Sequence, residues 1–233
     1  MSPTATLLPR ALYAAAKAPR PGLAKTRLAL SVGEAAAISL YQAFLRDLSA
    51  NLHSSHYELG WYVTPADAWL ELGVLVDQQS TAPRVITQPR GNWTDRQRWL
   101  FQTMESRGEE RTLLIASDSP QITKEMIDDA FDTLDDHDVV LGPTFDGGYY
   151  LIGMRIWRDV LRCIPMSTNT VLHDIVCLAK LQGVSLALME PTFDVDCEDD
   201  LGYLIDAVRS RSDLPFTKLA LTELAATPAM ERV

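Results

Sequence analysis

Seven short apolar or alternating runs punctuate the chain, at 11–16, 57–63, 84–88, 111–116, 138–142, 148–154 and 184–189, each with the length and content of a β-strand. Between several of them, at 33–51, 93–106, 123–135, 167–182 and 197–210, apolar residues recur every three or four positions, the spacing of one buried helix face. Alternation of this kind predicts an α/β fold: a mostly parallel sheet between two layers of helices. It breaks once, over 138–154, where two strands follow each other without a helix, so one antiparallel strand is expected. Thr123 before KEMIDDAF is a suitable N-cap, as is Ser167 or Thr168 before NTVLHDIVCLAKL, and Gly183 is placed to end the latter helix. No repeat or low-complexity segment interrupts the pattern. One domain over residues 1–233 is expected, with the packing of the tail after about 211 left open.

Composition narrows the partners. The formal charge of −10 argues against a nucleic-acid backbone as partner, because that affinity comes largely from Lys and Arg displacing counterions. Cys163, Cys177 and Cys197 are too far apart for a CxxC metal knuckle, and an odd number fits a reduced compartment better than a disulfide framework, so a cytoplasmic protein is expected. The opening MSPTATLLPRALYAAAKAPRP has its apolar run broken by Pro9 and Arg10, and nothing later approaches the roughly 18 continuous apolar residues of a membrane span. Neither export nor anchoring is expected.

In an open α/β sheet, ligands sit beyond the carboxyl ends of the strands. Four such ends carry polar residues. After the first strand, KAPRPGLAKTRL places Lys17, Arg20, Lys25 and Arg27 within eleven residues of an acidic chain, either as a phosphate loop leading to a helix N-terminus or as a solvated basic turn. IASDSP at 115–120 ends a strand on Asp118, either a ligand for a hard cation or the head of an Asx turn. VVLGPTFDGGYYLIGM at 139–154 sets Asp146 before Gly147 and Gly148, glycines that serve a close ligand approach or a plain hairpin. FDVDCEDDL at 193–201 holds Asp194 and Asp196 two apart, on one face of an extended backbone, where both reach one metal or Asp196 caps the next helix. His53, His56, His137 and His173 have no metal-like spacing. Trp93, Trp99 and Phe101 are either a base-stacking set or, at helical spacing, core.

Taken together, KAPRPGLAKTRL, ASDSPQIT, DVVLGPTFDGGYYLIGM, IPMSTNTVL and DVDCEDDL resemble the DUF2064 family, the radical-SAM/selenodomain-associated transferase 1 proteins. The likeness runs over roughly residues 11–205. That family belongs to the GT-A-like nucleotide-diphospho-sugar transferases and is similar to 2-phospholactate guanylyltransferase. The resemblance implies a single GT-A domain, a Rossmann-like three-layer sandwich. It implies Lys25 and Arg27 facing phosphates, Asp118 and Asp196 as ligands of Mg²⁺ or Mn²⁺ with Asp194 behind them, and Asp146, Gly147 and Gly148 on the acceptor side. Lys17, Gly22, Lys25, Arg27, Gln88, Gly91 and Arg96 are the expected nucleotide contacts. Ser167 and Thr168 join the acceptor set, and Asp146, Lys25 and Arg27 are the expected catalytic groups.

The chain departs from the family pattern in three places. GNWTDRQ at 91–97 stands where relatives read approximately G-D-L-G-x-R-M, keeping Gly91 and Arg96. Met166 stands where relatives often carry Trp. A proline-bearing loop with Gly22 replaces the glycine-rich loop of sugar-nucleotide pyrophosphorylases. The leading expectation is a metal-dependent enzyme passing a sugar from a nucleotide-activated donor to a small acceptor. The alternatives are nucleotidyl transfer from an NTP to a small phosphorylated or phosphonate acceptor with pyrophosphate release, and a nucleotide-binding domain without turnover. The C-terminal LALTELAATPAMERV is a candidate docking segment for another subunit of a homo-oligomer.

Overall fold

The structure is a computed structural model that describes residues 10–76, 83–166 and 168–226. Among the described residues seven strands form one sheet: β1 (Arg10–Lys17), β2 (Glu58–Thr64), β3 (Arg84–Thr87), β4 (Arg111–Ala116), β5 (Val139–Pro143), β6 (Tyr149–Met154) and β7 (Leu186–Leu188). Their spatial order is β3-β2-β1-β4-β6-β5-β7. All neighbours pair in parallel except β6, which runs antiparallel to both β4 and β5. This is the antiparallel strand that the break in alternation over 138–154 implied. β5 and β6 are joined by a turn too short to hold the crossover a parallel pair needs.

The helices are α1 (Thr26–Val32), α2 (Glu34–Asn51), α3 (Trp69–Leu72), α4 (Trp93–Ser106), α5 (Lys124–Asp136), α6 (Val171–Leu181), α7 (Leu201–Ser210) and α8 (Pro215–Ala226). The central strands are buried on both faces, and alternate residues serve different cores. Leu12, Ala14, Leu113 and Ile115 pack with Leu40, Phe44 and Phe131 from α2 and α5. Ala11, Tyr13 and Leu114 pack with Leu100 and Ile175 from α4 and α6. Period 2 in the strands and period 3.6 in the helices thus meet on each face.

Some boundaries differ from the periodicity. α1 and α3 were not expected, since seven and four residues are too few to show a helical repeat. α6 starts at Val171, and its N-cap is Thr170 without a side-chain cap bond. Ser167 lies outside the described residues, and Thr168 is not the cap. A tertiary partner takes the cap's place: the Leu172 amide donates to the Gly147 carbonyl at 3.1 Å. The tail after 211 forms α8, whose first amides, Phe216 and Thr217, donate to the Asp47 carboxylate of α2 at 3.2 and 2.7 Å. Among the described residues no helix is long and apolar enough to cross a membrane.

Candidate active site

β1 has β2 on one side and β4 on the other, with Ala15 level with Ala116, so the strand order reverses between β1 and β4 at their carboxyl ends. In open α/β sheets this reversal opens a crevice, because the connections leave in opposite directions. A cleft of about 590 Å³ lies there, lined by Lys17, Lys25, Arg27, Gln88, Arg96, Asp118, Asp146, Gly148, Thr168, Asp194 and Asp196 among others. Loops far apart in sequence are thus gathered into one space.

Lys25 is the hub. Its backbone is left-handed (φ 52°, ψ 37°) at the N-cap of α1, and this turns its side chain inward rather than out with the basic loop. The side chain is 2% exposed, and its ammonium lies 2.9 Å from Asp118 Oδ1 and 3.6 Å from Asp196 Oδ1. It also donates to the Val195 carbonyl at 2.6 Å and stands near the rings of Tyr41 and Phe44. Arg27, mostly exposed, pairs with the other oxygen of Asp196. The two carboxylates are held level by the main chain, since the Val195 amide donates to the Asp118 carbonyl at 3.0 Å.

The competing capping role of Asp196 falls to Cys197, the N-cap of the 3-10 turn Glu198–Asp200, and Asp200 completes the capping box by accepting from the amides of Asp196 and Cys197, both at 2.8 Å. That leaves the Asp196 side chain free for the cleft. Asp194 has no ion-pair partner among the described residues, and its carboxyl is pushed up to about 7 by burial first, then by Asp196, Asp146 and Asp118. Burial and Asp118 also raise Asp196, against the pull of Lys25 and Arg27. Four carboxylates thus face one cleft with two cations between them.

Among the described residues no three His, Cys, Asp or Glu side chains converge as a ready metal site. The donor set nonetheless suits a hard dication of the magnesium kind, which takes one or two carboxylates and completes its shell with waters and substrate phosphate oxygens. Asp118 and Asp196 could supply those carboxylates, and Asp194, raised by burial and then by Asp196, Asp146 and Asp118, is the group a cation there would relieve.

The β5–β6 turn fixes Asp146. Its Oδ1 accepts from the Thr144 hydroxyl at 2.6 Å and the Gly148 amide at 3.0 Å, so both bonds use one oxygen of a carboxylate that lines the cleft. The two glycines divide the work between them. A Cβ on Gly147 would lie 2.1 Å from the Asn169 carbonyl oxygen, and φ there is +89°, so this glycine serves packing of the turn against the 168–170 loop. Gly147 therefore does not line the cleft as the acceptor contact expected of it; Gly148 does.

On the nucleotide side, Lys17, Lys25, Arg27, Gln88 and Arg96 reach the cleft, whereas Gly22 and Gly91 do not. Gly22 (φ +74°) turns the basic loop in open space. Gly91 (φ +132°) sits against Asp95 and precedes Asn92, which caps α4 by accepting from the Asp95 amide at 2.9 Å. Arg20 leaves the phosphate set as well, since its guanidinium binds Glu71 and Asp67 beside α3. Trp93 and Met166 line the cleft, while Trp99 stacks on Tyr62 and Phe101 is buried core.

The family described as an uncharacterized protein conserved in bacteria, DUF2064, matches this chain over residues 51–168, just over half its length. The chain belongs to the DUF2064 family. No curated protein matches it. Among solved structures, a putative nucleotide-diphospho-sugar transferase from Desulfovibrio desulfuricans G20 is 26% identical, with a TM-score of 0.81 over 94% of this chain and 98% of that one. Two more distant likenesses concern the fold alone. One is a 4-diphosphocytidyl-2C-methyl-D-erythritolsynthase from Anaerococcus prevotii DSM 20548, at 10% identity and a TM-score of 0.54, covering 87% of this chain and 97% of that one. The other is a cytidylyltransferase from Leptospira borgpetersenii serovar Hardjo-bovis (strain JB197), at 10% identity and 0.53, covering 94% and 96%.

This DUF2064 protein also brings residues to the cleft that its sequence did not announce. Tyr41 of α2 accepts from the Lys17 amide at 3.0 Å and shares a hydrogen bond with Ser117 at 3.0 Å, tying the ends of β1 and β4 together beside Lys25. Its position on an otherwise apolar helix face reads as core, and only the strand ends above it reveal the polar role. Tyr149, just after the paired glycines, lines the cleft with its hydroxyl on Gln97 at 2.9 Å.

Proposed function

We propose that this DUF2064 protein is a transferase that binds a nucleotide-activated sugar and passes the sugar to a small acceptor. The observation that carries the reading is the joining of Asp118, Asp194, Asp196 and Asp146 with Lys25 and Arg27 in one cleft at the sheet's switch point. Its likeness to a nucleotide-diphospho-sugar transferase supports the same reading. Lys25 and Arg27 neutralise the departing nucleoside diphosphate, the role of preorganised cations where negative charge develops. Asp146, held by Thr144 and Gly148 through one oxygen, orients the acceptor hydroxyl with the other. A dication on Asp118 and Asp196, with Asp194 alongside, supplies charge neutralisation of the phosphate chain when bound.

Nucleotidyl transfer is the second reading, favoured by the concentration of both cations at the carboxylates, since a leaving pyrophosphate makes the same demand. A thermal-shift panel of NTPs, NDPs and NDP-sugars, with and without Mn²⁺, on wild type and Asp118→Asn separates the two. Ligand at about 100 times its Kd adds roughly 2.7 kcal/mol of stability. Mn²⁺-dependent stabilisation by an NDP-sugar or its NDP, lost in Asp118→Asn, is expected. Preference for an NTP over every NDP-sugar transfers the assignment to nucleotidyl transfer, and silence across the panel refutes both.

A further inference from the structure

The cleft lining carries a fixed donor and acceptor pair. Gln88, buried at the end of β3, donates its side-chain amide to the Tyr62 carbonyl at 2.7 Å and accepts from Arg96 Nη1 at 3.2 Å. These two bonds leave its amide no freedom to flip, because reversal would set an NH₂ against a guanidinium and an oxygen against a carbonyl. Arg96 is anchored in turn: its carbonyl accepts from the Tyr62 hydroxyl at 2.7 Å, and its amide donates to the Asn92 carbonyl at 3.1 Å in the first turn of α4. Most of its guanidinium remains uncommitted, and Nε is buried without a partner in the protein. A buried donor left so is an expensive feature unless something occupies it. Both side chains line the cleft, and Trp93, one turn before Arg96 on α4, lines it too.

We infer that Arg96 and Gln88 select nucleotides whose base presents a lactam edge, guanine or uracil, and reject adenine and cytosine. The inference rests on the proposal that this cleft takes a nucleotide. A lactam edge offers a carbonyl oxygen beside a ring N–H, which pairs with free donors of Arg96 and the second lone pair of Gln88 Oε1. Adenine and cytosine carry the reverse pair, an amino group beside a bare ring nitrogen, and when held in the same orientation they meet donor with donor and acceptor with acceptor. Arginine's fork suits carbonyl-bearing bases, as in its contacts with the O6 and N7 of guanine in nucleic acids. A site built around hydrogen-bonding groups discriminates strongly because the wrong ligand leaves those groups buried and unpaired.

Isothermal titration of GDP, UDP, ADP and CDP in the presence of Mg²⁺ tests this on the wild-type chain. GDP or UDP, or both, should bind at least about tenfold more tightly than either ADP or CDP. In Arg96→Met that preference should shrink to within about threefold, by loss of affinity for the lactam bases with ADP and CDP little changed. Gln88→Leu, checked for an unchanged melting curve, should do the same in part. Binding of ADP or CDP as tight as the better of GDP and UDP overturns the inference and leaves the nucleotide site standing. A tenfold preference that survives Arg96→Met overturns it too. If none of the four binds, the nucleotide reading falls and this inference with it.

Discussion

Replacing Lys25 by Met removes the charge between two aspartates while keeping most of the volume, and it tests whether the cleft is organised around that ammonium. At an effective dielectric near 20, attraction between unit charges at the observed 2.9 and 3.6 Å is about 6 and about 5 kcal/mol. Most of this is offset by desolvation of an ammonium that is 2% exposed. Taking one partner from a buried pair costs about 3–5 kcal/mol, because the other charge is left unpaired. Here Asp118 and Asp196 are 34% and 28% exposed and regain some water, so Lys25→Met should lose about 2–3 kcal/mol. Asp118→Asn alone should lose less, since Lys25 keeps Asp196 and the Val195 carbonyl. The assay is a double-mutant cycle by urea denaturation with both single variants and the pair. A coupling of about 1–2 kcal/mol is expected for groups in direct contact. Single effects that add to within about 0.3 kcal/mol would refute the claim that the ammonium and Asp118 act as a unit.

Mn²⁺ without nucleotide should raise the melting temperature of Lys25→Met more than that of wild type, because the carboxylates no longer hold an internal cation. Gly147→Ala should destabilise by at least about 2 kcal/mol, from its positive φ and the Asn169 carbonyl, whereas Gly22→Ala should cost about 1 kcal/mol from φ alone; denaturation curves compare them. Burial, with its acidic neighbours, raises the Asp194 carboxyl above its unfolded value. The folded chain therefore binds the extra proton between about pH 4 and 7, and the associated stability is lost as pH rises through that window. Asp194→Asn should accordingly gain stability relative to wild type at pH 8, with the gain shrinking toward pH 5; a pH-independent difference in denaturation midpoint contradicts this. Asp47→Ala should cost about 1–2 kcal/mol and speed amide exchange at the start of α8, whose Phe216 and Thr217 amides lose their acceptor.

Much of this protein is local enough to be written along the chain. Strand and helix periodicities, the Thr123 cap and the single antiparallel strand follow from residues near one another, since burial on one face imposes a repeat that tertiary contacts only reinforce. Asp118, Asp146, Asp194, Asp196, Lys25 and Arg27 were recognisable because ligands gather where strands end, and each stands at or near such an end. Tertiary structure decided what these groups do to one another. Lys25 lies among aspartates rather than in a solvated turn because the left-handed backbone before α1 turns it inward, a choice no composition encodes. Arg20, equally basic and in the same loop, was taken by Asp67 and Glu71 across the surface. Gly147 is a packing residue because Asn169 passes close by, and Gln88 and Arg96 form a fixed pair because β3 and α4 carry them within 3.2 Å. Periodicity records which face is buried; partnership between charged or polar side chains depends on distances between segments, and those exist only once the sheet has assembled.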